Sequence, residues 1–279
     1  MAQNCDHNCE HCAENCADRT SPESFLEPAN KQSNIKKVIG VVSGKGGVGK
    51  SLVTSMLASA MAKGGRNVAI LDADLTGPSI PKMFGLKGIV GASEEGIIPA
   101  VTENGIKVMS VNLMLPSADD PVVWRGPVIA GVVKQFWSDV IWGDIDYMFV
   151  DMPPGTGDVP LTVFQSLPVS GIVVVTSPQD LVGMIVGKAV KMAALMNIPV
   201  IGVVENMSYF QCPDCGSRHY IFGKSRLEEL AEEYGILKTA RLPLDPAVAA
   251  KCDEGRAQDI DTSELEDIVA ACRLSGLFD

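Results

Sequence analysis

Residues Gly44–Ser51 form a glycine-rich pattern that predicts a phosphate-binding loop. Their sequence, GKGGVGKS, fits G-x-x-x-x-G-K-[ST] and stands between a short aliphatic run and a helical stretch. Backbone N–H groups of such a loop converge on phosphate oxygens, aided by the positive end of the following helix. We expect Lys50 to neutralise the β- and γ-phosphate oxygens and the Ser51 hydroxyl to bind Mg²⁺. The residues predicted to contact nucleotide here are Gly44, Gly46, Gly47, Val48, Gly49, Lys50 and Ser51.

Two acidic loops follow predicted strands in the order that a nucleotide site requires. Asp72 and Asp74 follow the second predicted strand, and Asp151 ends another just before the sequence MPPGTGD. A carboxylate at the carboxyl end of a strand can hold Mg²⁺ through water, and the turn at Gly155 can move with the γ-phosphate. Each aspartate taken alone is equally compatible with a helix cap or a turn. Their order after the glycine-rich loop favours a nucleotide site.

Cys212 and Cys215 form a pair with two intervening residues, in the sequence CPDCG. Two thiolates are too few to close a tetrahedral metal site. A twofold dimer would bring four together, which is the number that 4Fe–4S clusters and structural zinc sites use. A redox-active thiol pair and half of a zinc ribbon fit the same spacing, so the residues alone leave these alternatives open. Cys252 and Cys272 lack such spacing and are expected to be ordinary buried thiols.

Four further cysteines lie close together near the start of the sequence, at Cys5, Cys9, Cys12 and Cys16. Their spacing permits a complete four-thiolate site on one chain. His7 and His11 offer zinc a mixed nitrogen and sulfur alternative, and a tail without fixed metal is the third possibility. Because residues 1–34 are polar and lack aliphatic periodicity, we expect a separate cysteine-rich segment there and one domain over residues 35–279.

From Lys36 onward, short aliphatic runs alternate with longer amphipathic stretches. The runs are apolar on both faces, as buried parallel strands are. The predicted strands are Val38–Val42, Val68–Leu71, Ile106–Val111, Tyr147–Val150, Ile172–Val175 and Val200–Val204. The predicted helices are Lys50–Ala62, Pro127–Val140, Val159–Leu167, Gln179–Asn197, Lys224–Tyr234 and Ser263–Leu274. This series predicts an α/β protein with a doubly wound, mostly parallel sheet flanked by helices, and ligands beyond the carboxyl ends of the strands.

The composition of the chain argues against nucleic acids and membranes as binding partners. The chain has 279 residues and a net charge of -11, which argues against a nucleic-acid-binding surface. It has neither an apolar stretch long enough to cross a bilayer nor the pattern of a signal peptide. We therefore expect a cytoplasmic protein without membrane partners. In that reducing compartment, cysteines are used for ligation or redox chemistry more often than for disulfides.

The glycine-rich loop contains a second lysine, Lys45, which an ordinary phosphate-binding loop does not need. In this feature it resembles the deviant Walker A loop of the group that holds the ParA/MinD, arsenical-pump and nitrogenase-iron-protein ATPases. The early lysine of that group reaches phosphates bound by the other subunit. The resemblance implies that Lys45 completes the site of a partner in a homodimer, and that Asp74 positions or activates the attacking water. Together with Lys50 and Asp151, these are the predicted catalytic residues.

Within that group the sequence is most similar to the Mrp/ApbC-type iron–sulfur cluster carriers, from about residue 35 to the end. The similar segments are Asp72–Pro81, Trp124–Pro127, Asp151–Asp158, Ser177–Asp180, Gly202–Tyr209 and Cys212–Gly216. The resemblance implies that Asn206 contacts the adenine ring and that residues 243–246 lie near it. It also favours a 4Fe–4S cluster bridged between subunits by Cys212 and Cys215. Eukaryotic-type relatives carry an N-terminal four-cysteine cluster site, with longer first and last spacings than this chain has.

The predicted function is thus that of an ATP-binding iron–sulfur cluster scaffold or carrier. It would be a homodimeric, slow ATP hydrolase that uses ATP, Mg²⁺ and a 4Fe–4S cluster and passes the cluster to apo-proteins. The alternative is a positioning ATPase similar to MinD or ParA, with structural zinc at the cysteine pair. Such a protein needs a basic surface or a basic amphipathic terminal helix, whereas Ser263–Asp279 is acidic and has Arg273 as its only base.

Overall fold

The computed structural model describes residues 26–74, 77, 79–115, 126–155, 157–178 and 182–275. The four N-terminal cysteines at positions 5, 9, 12 and 16 lie outside the described residues. Parts of four family-like segments, at positions 75, 76 and 78, at Trp124, at Thr156 and at Gln179, do so as well. Residues 27–34 are described and already contact the rest of the chain, since the Trp137 indole N–H donates to the Glu27 carbonyl at 2.8 Å.

Thirteen strands lie within the described residues, and nine of them form one sheet. The strands are β1 (Asn34–Ile35), β2 (Val38–Ser43), β3 (Val68–Asp72), β4 (Ala92–Ser93), β5 (Gly96–Ile97), β6 (Ala100–Val101), β7 (Lys107–Met109), β8 (Asp144–Ile145), β9 (Tyr147–Asp151), β10 (Val169–Thr176), β11 (Val200–Gln211), β12 (Arg218–His219) and β13 (Thr239–Pro243).

The same part of the chain contains eight α-helices and three short 3₁₀ turns. The helices are α1 (Lys50–Lys63), α2 (Ile80–Met83), α3 (Gly126–Ser138), α4 (Asp158–Ser166), α5 (Val182–Leu195), α6 (Leu227–Glu233), α7 (Pro246–Asp253) and α8 (Glu266–Leu274). None of the helices described is both long enough and apolar enough to cross a membrane.

The central sheet is a doubly wound parallel sheet, which confirms the predicted fold class. Its strands run in the order β12-β11-β10-β2-β9-β3-β7-β6, and β13 pairs in parallel with β11. Only β12 and β6, which each pair with one neighbour, run antiparallel among the described strands of this sheet. The chain winds from β2 toward β3 and later returns to place β10 on the other side of β2. Ligands of such sheets bind beyond the carboxyl ends, where the winding direction changes.

Side chains of the buried strands alternate between two apolar clusters, one on each face of the sheet. In β2, Val38 and Val42 join one cluster, whereas Ile39 and Val41 join the other. The first cluster includes the fully buried Trp142, and the second includes residues of α1 and α8. Burial on both faces explains why these strands are continuously apolar in sequence.

One strand of the structure, β11, is considerably longer than the sequence predicts. The predicted strand Val200–Val204 is the start of β11, which continues to Gln211. The extension contains Glu205, Asn206 and Ser208, polar residues that are nevertheless buried. Apolar patterning could not reveal it, because hydrogen bonds rather than hydrophobicity hold these side chains inside. The elements that were not predicted include β13 and α7, and the predicted helix Ser263–Leu274 begins as a 3₁₀ turn.

Two glycines provide a paired test of this packing. A Cβ at Gly202 in β11 would lie 2.5 Å from Ile268 Cδ1 and 2.8 Å from the Lys238 carbonyl oxygen, whereas a Cβ at Gly131 in α3 would meet nothing within 4 Å. We expect Gly202→Ala to lower the free energy of unfolding by about 1–3 kcal/mol through overpacking. Gly131→Ala should raise it by about 0.5–1 kcal/mol, because alanine favours the helix. Urea unfolding measures both, and equal effects would contradict the described packing.

Candidate functional site

The glycine-rich loop lies in the strand–loop–helix setting that the sequence predicts. It connects the end of β2 at Ser43 to the start of α1 at Lys50. Gly47 and Gly49 adopt left-handed backbone conformations, with φ values of 78° and 82°. Gly49 is the residue that caps the N-terminus of α1. Because glycine alone adopts this conformation freely, the loop can turn its N–H groups toward one point ahead of the helix.

Two of the loop glycines are also required by close neighbours. A Cβ at Gly44 would lie 2.1 Å from Cγ2 of Ile185 in α5. A Cβ at Gly49 would lie 2.2 Å from Nδ2 of Asn206 in β11. Distances this short exclude any side chain unless the neighbour shifts. The loop is therefore held between α5 and β11, which are both distant from it in the sequence.

Lys50 is buried among carboxylates at the start of α1. Its Nζ lies 2.8 Å from Asp151 Oδ1 and 3.5 Å from Asp74 Oδ2, and its side chain is 6% exposed. Asp151 ends β9 and is fully buried. Since an unpaired buried ammonium group is costly, these two carboxylates stabilise the lysine where a phosphate would be bound. The structure thus brings together three of the four predicted catalytic residues.

Asp151 also accepts hydrogen bonds from two hydroxyl groups of α1. Ser51 Oγ donates to Asp151 Oδ2 at 2.5 Å, and Thr54 Oγ1 lies 2.9 Å from Asp151 Oδ1. Thr54 also donates to the Lys50 carbonyl oxygen at 3.0 Å. Sequence reasoning missed Thr54, although its position one helical turn after Lys50 could have indicated it. The hydroxyl predicted to bind Mg²⁺ thus contacts the strand-end aspartate that is predicted to hold Mg²⁺ through water.

A third aspartate lies immediately behind this cluster. Asp72, at the end of β3, is fully buried, and burial together with the nearby Asp151 raises its pKa well above the usual range. Ser110 Oγ lies 3.0 Å from Asp72 Oδ2, and the backbone N–H of Asp74 donates to Asp72 Oδ1 at 3.2 Å. Asp72 therefore holds the loop on which Asp74 lies. Sequence reasoning gave no role to Ser110, which directly follows β7, the strand that pairs with β3.

The loop and Asp74 border a cavity of about 230 Å³ at the carboxyl ends of the strands. Its lining includes Lys45, Lys50, Ser51 and Asp74, together with Pro154 of the loop after β9. The backbone N–H of Gly155 in that loop donates to the Ser43 carbonyl oxygen at 2.8 Å. A larger open cleft of about 430 Å³ contains none of the predicted site residues and is lined by Glu228, Thr239, Ala240, Arg241, Ser263, Glu264, Glu266 and Asp267.

Asn206, the residue expected to contact adenine, lies against the glycine-rich loop. Its side chain is buried, and its Nδ2 donates to the Val48 carbonyl oxygen at 3.0 Å. The segment 243–246, expected near the base, joins the end of β13 to the start of α7. Asp245 caps α7 by accepting from the Ala247 N–H at 2.8 Å.

The paired cysteines lie on a surface hairpin formed by β11 and β12. Cys212 follows the last residue of β11, its N–H donates to the Ser217 carbonyl at 2.9 Å, and the Gly216 N–H donates back to the Cys212 carbonyl at 2.9 Å. Cys215 is exposed and Cys212 is partly exposed. No group of three or more potential His, Cys, Asp or Glu metal ligands occurs in the part of the chain described. The hairpin therefore offers two thiols, which is half of a tetrahedral site.

The hairpin favours the thiolate form of Cys215. Hydrogen bonds from the Ser217 side chain and backbone lower the pKa of Cys215, with a further contribution from Cys212. The Cys215 sulfur lies 3.2 Å from Ser217 Oγ. By contrast, burial raises the pKa of Cys272 to about 12, as expected of an ordinary buried thiol. Cys252 is only partly buried.

Removing the Ser217 hydroxyl tests this effect. We expect Ser217→Ala to raise the pKa of Cys215, so that its alkylation by iodoacetamide at neutral pH slows by a factor of about two to ten. Mass spectrometry would measure the rate at Cys215 between pH 6 and 10. Ser225→Ala is the control, because the Ser225 hydroxyl accepts from the Leu227 N–H and has no described contact with Cys215. An unchanged pH profile for Ser217→Ala would contradict the described hydrogen bond.

Sequence comparisons match nearly the whole described chain to one family. The family model described as ParA, NUBPL iron-transfer P-loop NTPase, matches residues 34–273. An iron-sulfur cluster carrier protein of Clostridium perfringens is 48% identical over 234 residues, covering 81% of this chain and 82% of that protein. A protein of the same description from Saccharolobus solfataricus is 48% identical over 232 residues, covering 82% of this chain and 78% of that protein.

Solved structures agree with this relationship. A nucleotide-binding protein from Archaeoglobus fulgidus, in complex with ADP and with cobalt found in it, superposes with a TM-score of 0.76 at 46% identity. The match covers 83% of this chain and 91% of that one. The septum site-determining protein MinD of Pyrococcus horikoshii, with Mg-ADP, has a TM-score of 0.58 at 20% identity over 87% of this chain and 97% of that one, and so shares the fold. The glycine-rich loop, the buried aspartates and these matches together show that the chain belongs to the ParA family of NUBPL-type iron-transfer P-loop NTPases.

Proposed function

We propose that this protein binds and hydrolyses ATP and carries an iron–sulfur cluster that it delivers to apo-proteins. The observation that carries the proposal is the pair of surface thiols at Cys212 and Cys215, in a chain that also contains a P-loop with its buried aspartates. Iron–sulfur cluster carriers at 48% identity over about four fifths of the chain support the same function. In this proposal, hydrolysis is slow and is linked to cluster binding or release.

The residues of the P-loop site have distinct roles in the proposed reaction. Lys50 binds the β- and γ-phosphate oxygens, leaving Asp151 and Asp74 as it does so. Asp74 orients the attacking water and accepts its proton, the water oxygen bonds to the γ-phosphorus, and the bond to the bridging oxygen breaks to release ADP and phosphate. Gly155 follows the γ-phosphate, and Asn206 contacts the adenine ring.

The oxygen donors at this site fit Mg²⁺. The Ser51 hydroxyl and the Asp151 carboxylate are hard ligands in contact with each other, and Ser51 lines the cavity. Bound there, Mg²⁺ would neutralise charge on the β- and γ-phosphates. Asp151 would hold it through water, because its two oxygens already accept bonds from Ser51 and Thr54.

The cluster itself is the cargo of the proposed carrier. Two chains related by a twofold axis would supply four thiolates, Cys212 and Cys215 from each, to one 4Fe–4S cluster. Lys45 lines the nucleotide cavity and would reach the phosphates bound by the partner subunit of the same homodimer. The N-terminal segment 1–34, with its own four cysteines, would form a second cluster site beside the domain 35–279. We place this activity in the cytoplasm, where reduced thiols persist.

Metal analysis distinguishes the carrier from the alternative with structural zinc. In protein purified without oxygen, we expect iron matched by acid-labile sulfide, and a partial loss of both in Cys212→Ala/Cys215→Ala. The remainder belongs to the N-terminal cysteines. Cys252→Ala is the control, because it removes a partly buried thiol outside the hairpin. Zinc without sulfide, unchanged after anaerobic reconstitution, would refute the carrier and favour a zinc-stabilised ATPase switch.

Subunit mixing tests whether Lys45 acts on the partner's nucleotide. We expect Lys45→Ala and Lys50→Ala to abolish ATP hydrolysis separately. In a mixed dimer, the subunit with Lys45→Ala keeps its own Lys50 and receives Lys45 from its partner, so one site of two is restored. Random mixing should then recover about a quarter of the wild-type rate, since half of the dimers are mixed.

The same assay separates action in trans from action in cis. If Lys45 serves only its own subunit, every site in the mixture lacks one lysine and no activity returns. Lys31→Ala, which changes an exposed lysine outside the loop, is the control and should leave the rate of wild-type dimers unchanged.

A further inference from the structure

One strand joins the nucleotide site to the cysteine hairpin. β11 places Asn206 against the glycine-rich loop, and it ends at Gln211, directly before Cys212. Six residues of extended chain span about 20 Å. The two sites of the proposed function are thus connected through the backbone of a single element, without an intervening loop.

At the nucleotide end, the strand touches the phosphate-binding backbone itself. Asn206 Nδ2 donates to the Val48 carbonyl at 3.0 Å, and it occupies the space that a Cβ at Gly49 would need, 2.2 Å away. Val48 and Gly49 directly precede Lys50, and Gly49 is the N-cap of α1. Any rearrangement of this loop around a nucleotide therefore moves the Asn206 side chain or breaks its hydrogen bond.

The strand has a sharp kink immediately after Asn206. Met207 adopts a left-handed conformation with φ 56°, which costs a non-glycine residue roughly 1–2 kcal/mol. Across the kink, β11 advances from Glu205 to Tyr209 while its partner β13 advances only from Arg241 to Pro243. Such bulges bend a strand and re-aim its side chains. A non-glycine residue remains in this conformation only where its surroundings determine it.

Buried hydrogen bonds hold the kink rigid. Ser208 Oγ donates to Glu205 Oε1 at 2.7 Å across it, and both residues are only 1% exposed. Beyond the kink, the Tyr209 carbonyl accepts from the Leu244 N–H at 2.7 Å, which fixes the strand to the end of β13. These hydrogen bonds therefore make the kink a rigid bend and not a flexible hinge.

At the cysteine end, the strand packs against and pairs with the hairpin that carries the two thiols. The Arg218 guanidinium of β12 stacks over the Tyr209 ring, 4.3 Å from its centroid. Gln211 pairs with Arg218 and Phe210 with His219 in the antiparallel ladder. Contacts therefore continue without a break from Val48 through Asn206 and the kink to Tyr209, Arg218 and the cysteine loop.

We propose that β11 transmits nucleotide occupancy from the P-loop to the Cys212–Cys215 pair, with the kink at Met207 as the rigid joint. Movement of Asn206 reorients Tyr209, and with it the hairpin that sets the distance between the thiols. By thermodynamic linkage, metal bound at the hairpin changes nucleotide affinity by the same factor. This inference rests on the proposed function, because it assumes that both sites bind their ligands.

Cobalt titration measures this coupling directly. Co²⁺ is added to the wild-type protein with and without ADP. Its affinity at the hairpin is read from the part of the sulfur-to-cobalt charge-transfer absorbance that Cys212→Ala/Cys215→Ala removes, because the four N-terminal cysteines also offer thiols to Co²⁺. We expect ADP to change that affinity by a factor of five or more, within the usual range of allosteric coupling. In Met207→Gly, the new residue adopts positive and negative φ values about equally well, so the kink becomes more flexible. It should reduce the factor to below two while the affinity for Co²⁺ alone changes by less than about threefold.

Asn197→Gly is the matched control. Asn197, with φ 54°, is the other non-glycine residue with positive φ in the described chain, and it lies before β11 begins. Its substitution relieves the same kind of strain outside the connection, so the coupling factor should stay at the wild-type value. A second pair of variants acts at the hairpin. Arg218→Gln should reduce the coupling, and Arg218→Lys, which keeps a cation over the Tyr209 ring, should largely restore it.

The outcomes separate this inference from the proposed function. If wild-type protein binds Co²⁺ through Cys212 and Cys215 without any response to ADP, the coupling is refuted and the carrier function stands. An equal loss of coupling in Met207→Gly and Asn197→Gly would also refute the role of the kink. If no thiolate absorbance appears, or Cys212→Ala/Cys215→Ala leaves it unchanged, the cysteine site of the proposed function fails and the coupling fails with it.

Discussion

The buried ammonium group of Lys50 imposes the constraint on which the rest of the site depends. With only 6% of its side chain exposed, it requires a carboxylate within reach, and Asp151 supplies one at 2.8 Å. The two residues are 101 positions apart. They meet because β9 pairs in parallel beside β2, so that their carboxyl ends lie at one edge of the sheet. The winding of the fold is thus what makes the buried lysine tolerable.

The same cluster carries more negative than positive charge, and this excess determines how a nucleotide can enter. Asp72, Asp74 and Asp151 lie around Lys50, and the raised pKa of Asp72 reflects their mutual repulsion and burial. A triphosphate adds further negative charge, so additional cations must accompany it. In the proposed function, Mg²⁺ at Ser51 and the second lysine, Lys45, would supply these cations. The net negative charge of this cluster therefore supports a role for Lys45 at the phosphates, independently of family resemblance.

How much of this the sequence could predict depends on whether the signal is local. The P-loop, the strand-end aspartates and the six main strands follow from contiguous patterns, and the structure contains all of them. Ser110 and the buried part of β11 were missed, because Ser110 bonds to Asp72, 38 positions away, and Asn206 of β11 bonds to Val48, 158 positions away. The left-handed Met207 gives no signal at all, since methionine is not a residue that favours that conformation.

The cysteine hairpin explains why a carrier can bind metal without retaining it. Each chain contributes two thiols on a solvent-exposed turn, and backbone bonds around Cys212 and Ser217 fix the turn before any metal arrives. A site preorganised in this way loses little entropy on binding. It nevertheless has no further ligands of its own among the described residues with which to close the coordination sphere. In the proposed dimer, affinity depends on the second half of the site, and a small change in the angle of β11 would then separate holding from release.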